Sequence, residues 1–405
     1  MRAYERFLQY VTIPTQSAEG RGVNPSTACQ WKLLRQLAEE MRQLGLTDVS
    51  VSEFGVVMGH LPATQGLENA PAIGFLAHVD TAPDFSGDGV CPLLHPDYDG
   101  GDLSLPREGR VLRVSEFPAL AGLRGRTLIT ADGATLLGAD DKAGIAEIMT
   151  LCERLVASGA AHGKICVAFT PDEEIGEGPD HFDVAAFGAQ YAYTVDGSAE
   201  GEIEYENFNA AAARISIKGV SVHPGSAKDV MENALLIAME INSQLPPNEI
   251  PARTAGYEGF FHVTNLTGSA EEAALSYIIR DHSMEKFQQR KALLQDAVAR
   301  AQAAHPRSSV SLELKDSYYN MAGQLKDCMH LIENARIAAR AAGLKPVTMP
   351  IRGGTDGARL SFVGLPCPNL GTGGFNAHGP YECATVEGMD AVVDMLEQIV
   401  FLYAK

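Results

Sequence analysis

Residues 72–80 read Ala-Ile-Gly-Phe-Leu-Ala-His-Val-Asp. Six small or apolar positions leave neither face of an extended segment polar, and His78 and Asp80 close the run. A strand apolar on both faces belongs in a parallel sheet covered on each side by helices. Two more runs have the same character, Lys164 to Thr170 (KICVAFT) and Tyr191 to Val195 (YAYTV). Between the first and second, Asp141 to Ala157 carries Ile145, Ile148, Met149, Cys152 and Leu155 at helical spacing. Upstream, a helix is expected from about Ser26 to Leu46 on Trp31, Leu34, Leu37, Met41 and Leu44, with Ser26 and Thr27 as N-cap candidates. The expected fold class is α/β, a mostly parallel sheet with helices on both faces.

The grammar changes near residue 208. Alternation in Ala213 to Lys218 predicts a strand and Lys228 to Gln244 a helix. Strands follow near Tyr257 to Asn265 and Ala273 to Arg280, then a helix over Met284 to Ala304 and a strand over Ser309 to Leu314. The order β-α-β-β-α-β is that of a ferredoxin-like α+β unit. The expected organisation is a catalytic domain in two parts, 1–207 and 321–405, interrupted by an inserted lid or dimerisation-type domain at 208–320. Helices around His330 to Ala342 and Met389 to Leu402 resume the α/β pattern. The Gly/Pro/Asp-rich stretch 82–106 reads as a long surface loop.

The chain has 405 residues, 45% of them hydrophobic and 20% charged, the balance of a globular enzyme. Its 32 Lys+Arg against 51 Asp+Glu give a formal net charge of -19. Such a balance repels phosphate backbones and anionic membranes, which argues against nucleic-acid and membrane-surface roles. Seven cysteines without paired spacing read as reduced thiols. No apolar run approaches the roughly 18 to 20 residues that span a bilayer. The expected location is cytoplasmic.

In open α/β sheets, ligands gather beyond the carboxyl ends of the strands. The first strand delivers His78 and Asp80, the second Asp172-Glu173-Glu174, the third Asp196. Gly138-Ala139-Asp140-Asp141-Lys142 opens a helix, and the glycine-rich segment Gly371 to Gly379 presents His378. Singly, each has a plain reading: surface polarity for His78, an N-cap and first-turn carboxylate for Asp140-Asp141, a solvated corner for Glu173-Glu174, a turn residue for His378. Jointly, imidazole and carboxylate without thiolate at one sheet edge suit zinc, manganese or cobalt in a hydrolytic site.

This constellation resembles the co-catalytic zinc exopeptidases of the carboxypeptidase G and aminoacylase type. Within them the chain most resembles the peptidase T family of tripeptide aminopeptidases, through Leu76-Ala77-His78-Val79-Asp80-Thr81, Gly138-Ala139-Asp140-Asp141-Lys142-Ala143-Gly144-Ile145, Pro171-Asp172-Glu173-Glu174-Ile175-Gly176, Val222-His223-Pro224-Gly225 and Arg352-Gly353-Gly354-Thr355-Asp356-Gly357. The resemblance implies two divalent ions, Zn2+ with Mn2+ or Co2+ as alternatives. His78 and Asp196 would complete one, Glu174 and His378 the other, and Asp140 would bridge them. Asp80 would accept the second imidazole N–H of His78, Glu173 would be the general base, and His223 would donate to the oxyanion. Arg280 or Arg352 would take the terminal carboxylate of a short peptide, or else form structural salt bridges, and Asn265 is a further substrate-binding candidate. The partners implied are short peptides with a free N-terminus and a second copy of the chain. An N-acyl amino-acid deacylase or carboxypeptidase with the same machinery stays open, as does a non-catalytic metal- or peptide-binding protein.

Overall fold

The computed structural model describes residues 1–404. The chain forms two compact units, one of Met1–Tyr205, Gln324–Met349 and Thr355–Lys405, the other of Glu206–Gly323 and Pro350–Gly354.

Numbering the strands of the two larger sheets in chain order, the first unit holds β1 (Thr47–Val51), β2 (Val57–Leu61), β3 (Ile73–His78), β4 (Ile165–Thr170), β5 (Tyr191–Gly197) and β6 (Glu202–Glu204), and the second holds β7 (Asn209–Lys218), β8 (Phe260–Gly268), β9 (Glu272–Asp281) and β10 (Ser309–Tyr318). The first unit then adds β11 (Val347–Thr348) and β12 (Asn369–Gly371). The eight-stranded sheet runs β1-β2-β4-β3-β5-β12-β6-β11. Its centre, β4-β3-β5-β12, is parallel, while β1, β2 and β6 pair antiparallel with their neighbours toward that centre. All six residues of β3 and of β4 are buried, as strands covered on both sides must be. Alternate side chains serve opposite faces. Met58, Leu76, Ala168 and Ala192 pack with Phe187 and Leu360 on one side, and the helix Ala139–Ser158 packs on β3 and β5 from the other, beside Ala3–Tyr10 and Val386–Tyr403.

The second unit is a four-stranded antiparallel sheet ordered β8-β9-β7-β10. Helices Ala234–Ser243 and Met284–Ala304 cover one face, burying Ile215, Ile217, Ile237, Leu275, Ile279 and Leu294. The segment Pro350–Gly354 joins this unit because Ile351 bridges Asn207 and its carbonyl meets His282 Nε2 at 3.0 Å.

Three local expectations are corrected. The helix predicted from Lys228 begins at Ala234, since the Asn233 side chain accepts from the N–H groups of Leu235 and Leu236 and so caps it there. Ser26 and Thr27 do not cap the helix Gln30–Gln43, whose N-cap position is Cys29; the Ser26 side chain is taken by Asp172. The stretch 82–106 is not all loop: Leu93–His95 and Leu103–Ser104 are strands, the former paired with Leu128–Thr130 in a small four-stranded sheet.

Candidate metal centre

β3 ends at His78, and β5 carries Asp196 one residue before its end. His78 Nε2 lies 3.2 Å from Asp196 Oδ1 and 3.0 Å from Asp140 Oδ1. The other oxygen of Asp140 lies 3.3 Å from His378 Nε2, which is 3.0 Å from Glu174 Oε2. One carboxylate therefore faces two imidazoles with its two oxygens, and each imidazole has a further carboxylate of its own. Ligand atoms held tetrahedrally at about 2.0–2.1 Å from a zinc ion stand about 3.3 Å apart, which matches these separations. Glu174 Oε1 is buried without a partner among the described residues, an acceptor left over for a cation.

The electrostatics point the same way. Burial would lift Asp140, but His378 and His78 hold it well below the ordinary carboxylate range. Burial opposes the His78 imidazolium, yet Asp196, Asp140 and Asp80 carry it well above its usual value. Asp140 and Glu174 raise His378 to about 11. Burial lifts Asp196 and Glu174 to about 7 each, against the pull of His78 and of His378. The negative potential that draws protons onto these imidazoles also draws cations, and an ion that binds must release those protons.

The local backbone explains how Asp140 is freed for this. Asp140 and Asp141 have non-helical φ/ψ, and the N-cap position, Gly138, is left-handed with no side-chain cap. Asp140 is thus not an N-cap. Asp141 turns inward and accepts from the N–H groups of His78 (3.1 Å) and Gly144 (3.3 Å). His78, Asp141 and Asp196 also lie close enough to hold an ion, but these backbone contacts already engage both oxygens of Asp141. Gly144 is obligatory here: a Cβ would stand 1.9 Å from the Val195 carbonyl oxygen.

Asp80 does more than expected. His78 Nδ1 is 3.3 Å from Asp80 Oδ1 and 3.0 Å from the Asp80 carbonyl oxygen, so the main chain is the nearer partner. The carboxylate itself clamps the next segment, accepting from Glu173 N–H on Oδ1 (3.0 Å) and Glu174 N–H on Oδ2 (3.2 Å). Glu173 is outside the ring of imidazole contacts. Burial, with Asp196, Asp356 and Glu174, raises its carboxyl well above the usual range.

Other acidic residues, to which the sequence reading gave no role, hold this framework. Asp172, left-handed at φ 61, accepts from Ser26 N and Oγ, Gln30 Nε2 and Asn24 Nδ2 at 2.5–3.1 Å. Glu382 accepts from Leu137 N–H and Gly138 N–H on Oε2, each at 2.7 Å, and from Asp140 N–H on Oε1 at 3.0 Å. Burial raises Glu382 to about 7 against those donors. Asp356 accepts from Thr170 Oγ1 at 2.7 Å. Asp172 and Asp356 stood in the quoted motifs without a role, while the one sequence signal of Glu382 is an acidic side chain four residues after His378.

The remaining candidates belong to the second unit. His223 is exposed, and its Nδ1 accepts from Gly225 N–H at 3.1 Å, which leaves the proton on Nε2, the donor form. Arg280 donates from Nη1 to the Arg352 carbonyl oxygen at 3.0 Å. Arg352 is committed elsewhere: Nη1 donates to the carbonyl oxygens of Gly256 and Glu258, Nη2 to the carbonyl and hydroxyl oxygens of Thr254, and the guanidinium lies over Phe208 and Phe260. It clasps the 254–258 loop with both terminal nitrogens, so the expected bidentate carboxylate contact has no free fork in this conformation. Neither arginine forms a salt bridge among the described residues. Asn265 is exposed on β8, beside a register shift at Val263/Asn265.

A peptidase dimerisation domain model matches residues 205–308. Peptidase T of Salmonella arizonae is 50% identical over 403 residues, covering 99% of this chain and 98% of that protein. Among solved structures, the aminopeptidase PepT of Bacillus cereus superposes with a TM-score of 0.79 at 22% identity, covering 100% of this chain and 98% of the other. A dinuclear metal-binding peptidase of the M20 family from Bacillus subtilis gives 0.67 at 14% identity, over 99% and 97%. These two likenesses speak for the fold.

Proposed function

The chain belongs to the peptidase T family, and from that premise we propose how its residues divide the work of a dinuclear metal-dependent aminopeptidase that releases the N-terminal residue of tripeptides. The single observation that carries the reading is the Asp140 carboxylate set between His78 and His378 with one oxygen toward each. His78, Asp196 and Asp140 would hold one ion, and Asp140, Glu174 and His378 the other; with two imidazoles, three carboxylates and no thiolate, zinc is the proposed metal, manganese or cobalt its competitors. Two such ions lower the pKa of a shared water to near neutrality and polarise the scissile carbonyl.

Glu173 is proposed as the base. It neighbours the ligand Glu174 but makes none of the imidazole contacts, and its raised affinity for protons suits a group that takes one from water and returns it to the leaving amine. His223, with Nδ1 occupied, offers Nε2–H to the oxyanion, a contribution of about 10²–10³ in rate for such donors. Arg280 takes the peptide's terminal carboxylate, since Arg352 is engaged by main-chain oxygens, and Asn265 adds a polar contact to the peptide.

A homodimer is proposed through the second unit, supported by the matched dimerisation domain and by the unpaired edge of β8, beside which Met239, Val263 and Leu266 are exposed. A cytoplasmic location is proposed from seven free cysteines; among the described residues no helix is long and apolar enough to cross a membrane.

The test is metal stoichiometry per chain alongside turnover of a free tripeptide, its N-acetylated form and an N-acyl amino acid. Two ions and cleavage of the free tripeptide are expected. Cleavage of only the blocked compounds would hand the site to a deacylase or carboxypeptidase reading.

A further inference from the structure

Glu382 makes none of the imidazole contacts, yet it is 2% exposed and directs both carboxylate oxygens at main-chain N–H groups. Its place in the chain matters. Gly374–Phe375 pairs antiparallel with Cys383–Thr385, so residues 374–385 form a hairpin. His378 lies in its connection and Glu382 at the foot of its return strand, where Glu382 N–H donates to the Gly379 carbonyl oxygen at 3.2 Å. The three donors it receives belong to Leu137, Gly138 and Asp140, the turn that lifts Asp140 out of helical geometry. One hairpin thus supplies an imidazole and also grips the backbone of the carboxylate that imidazole must share a cation with.

We propose that Glu382 is a positioning residue for the dinuclear centre: it fastens the Asp140 turn to the His378 hairpin so that the bridging carboxylate and one imidazole are presented as a single preformed unit. The proposal rests on the two-ion reading above. A carboxylate suits the task better than an amide because all three contacts require an acceptor. In Glu382→Gln, the amide oxygen can keep the Leu137 and Gly138 donors at the Oε2 position, while the NH2 group then opposes the Asp140 N–H, donor against donor. The bridging residue alone loses its fastening. Because Asp140 serves both ions, both should be affected, in the range of about 10–100-fold in affinity seen when partners of metal ligands are lost.

The test titrates metal-free wild type and Glu382→Gln with Zn2+ against a chromophoric chelator, with thermal melts of both metal-free proteins. Expected is two ions per chain in each, both bound about 10–100-fold more weakly in the variant, with tripeptidase activity recovering as free Zn2+ is raised. Should Glu382→Gln not fold, Glu382→Asp is read instead; it keeps the charge, withdraws it by one methylene, and should weaken both ions likewise. Unchanged affinity for both ions alongside a lowered melting temperature would reduce Glu382 to a structural role and overturn the proposal. Wild type binding fewer than two ions would instead overturn the two-ion reading, so the two failures are distinguishable.

Discussion

Replacing Asp80 by Asn separates two roles that one carboxylate combines. Asp80 Oδ1 faces both the Glu173 N–H and His78 Nδ1, whereas Oδ2 faces the Glu174 N–H alone. An Asn keeps its oxygen where two donors converge and turns its NH2 toward Glu174. His78 retains its nearer partner, the residue 80 carbonyl at 3.0 Å, which the substitution does not remove. The damage therefore falls on the Glu174 backbone. A hydrogen bond to a charged group is worth about 1.5–3 kcal/mol, and without it the ion must itself hold the Glu174 segment in place. Charged to binding, that is about 10–10² in an equilibrium constant. Asp80→Asn should thus bind one ion as wild type does and the other, at Glu174 and His378, about 10–10²-fold more weakly. Calorimetric titration of the metal-free protein reads this as a split of the isotherm. The identity of the weakened site is checked with His378→Ala, whose surviving ion should be indifferent to adding Asp80→Asn. Loss of the His78-side ion in the double variant would show that Asp80 acts through the imidazole and refute the clamp.

Glu173→Gln should retain two ions while turnover of a free tripeptide falls about 10²–10⁴-fold; an unaltered kcat would remove Glu173 from proton transfer. Gly144→Ala brings a methyl to 1.9 Å from the Val195 carbonyl oxygen and should destabilise the first unit by about 3 kcal/mol or more, seen as a lowered melting transition or insoluble protein. Burial, with Glu202, raises the Glu204 carboxyl from 4.5 to about 8. The folded chain then holds a proton that the unfolded chain releases between those values, so this group makes stability fall as pH rises from 4.5 to 8. Glu204→Gln, whose amide oxygen can still accept from Asn369 Nδ2, should melt higher than wild type near pH 8 and nearly equal to it near pH 4.5, with metal-free protein in both arms.

The residues that face one another as candidate ligands were legible because they announce themselves by type and place. His78, Asp196 and Glu174 stand at the ends of apolar runs, and a buried strand leaves few other places for such groups. The β-α-β-β-α-β order was equally plain, because β7 from Ala211 on, β9 and β10 alternate and the helix Met284–Ala304 buries Phe287, Leu294, Ala297, Val298 and Ala301 along one side. What escaped is the set of partners that these carboxylates find at long sequence separation. Asp172 stood at a strand end, but its donors on Asn24, Ser26 and Gln30 lie far away in sequence, as do the three main-chain N–H groups that Glu382 receives, and nothing in the side-chain pattern says where those segments return. Ser26 shows the same limit: its type fits an N-cap, but a buried carboxylate outcompetes the helix end for it. Val230 and Met231 extend the apolar pattern of the following helix upstream, yet Asn233 starts that helix later, a local cap overruling periodicity. Arg352 had the charge for a substrate carboxylate, but the carbonyl oxygens of the 254–258 loop claim its fork.

The spread of the proposed ligands along the chain also constrains the order of events during synthesis. Asp196 leaves the ribosome before the whole inserted unit, and His378 and Glu382 only after it. No nascent fragment that stops short of this hairpin holds all five proposed ligands, so the ion proposed at Glu174 and His378 waits on near-complete translation. A chain terminated early would carry a full set of proposed ligands for the other ion alone.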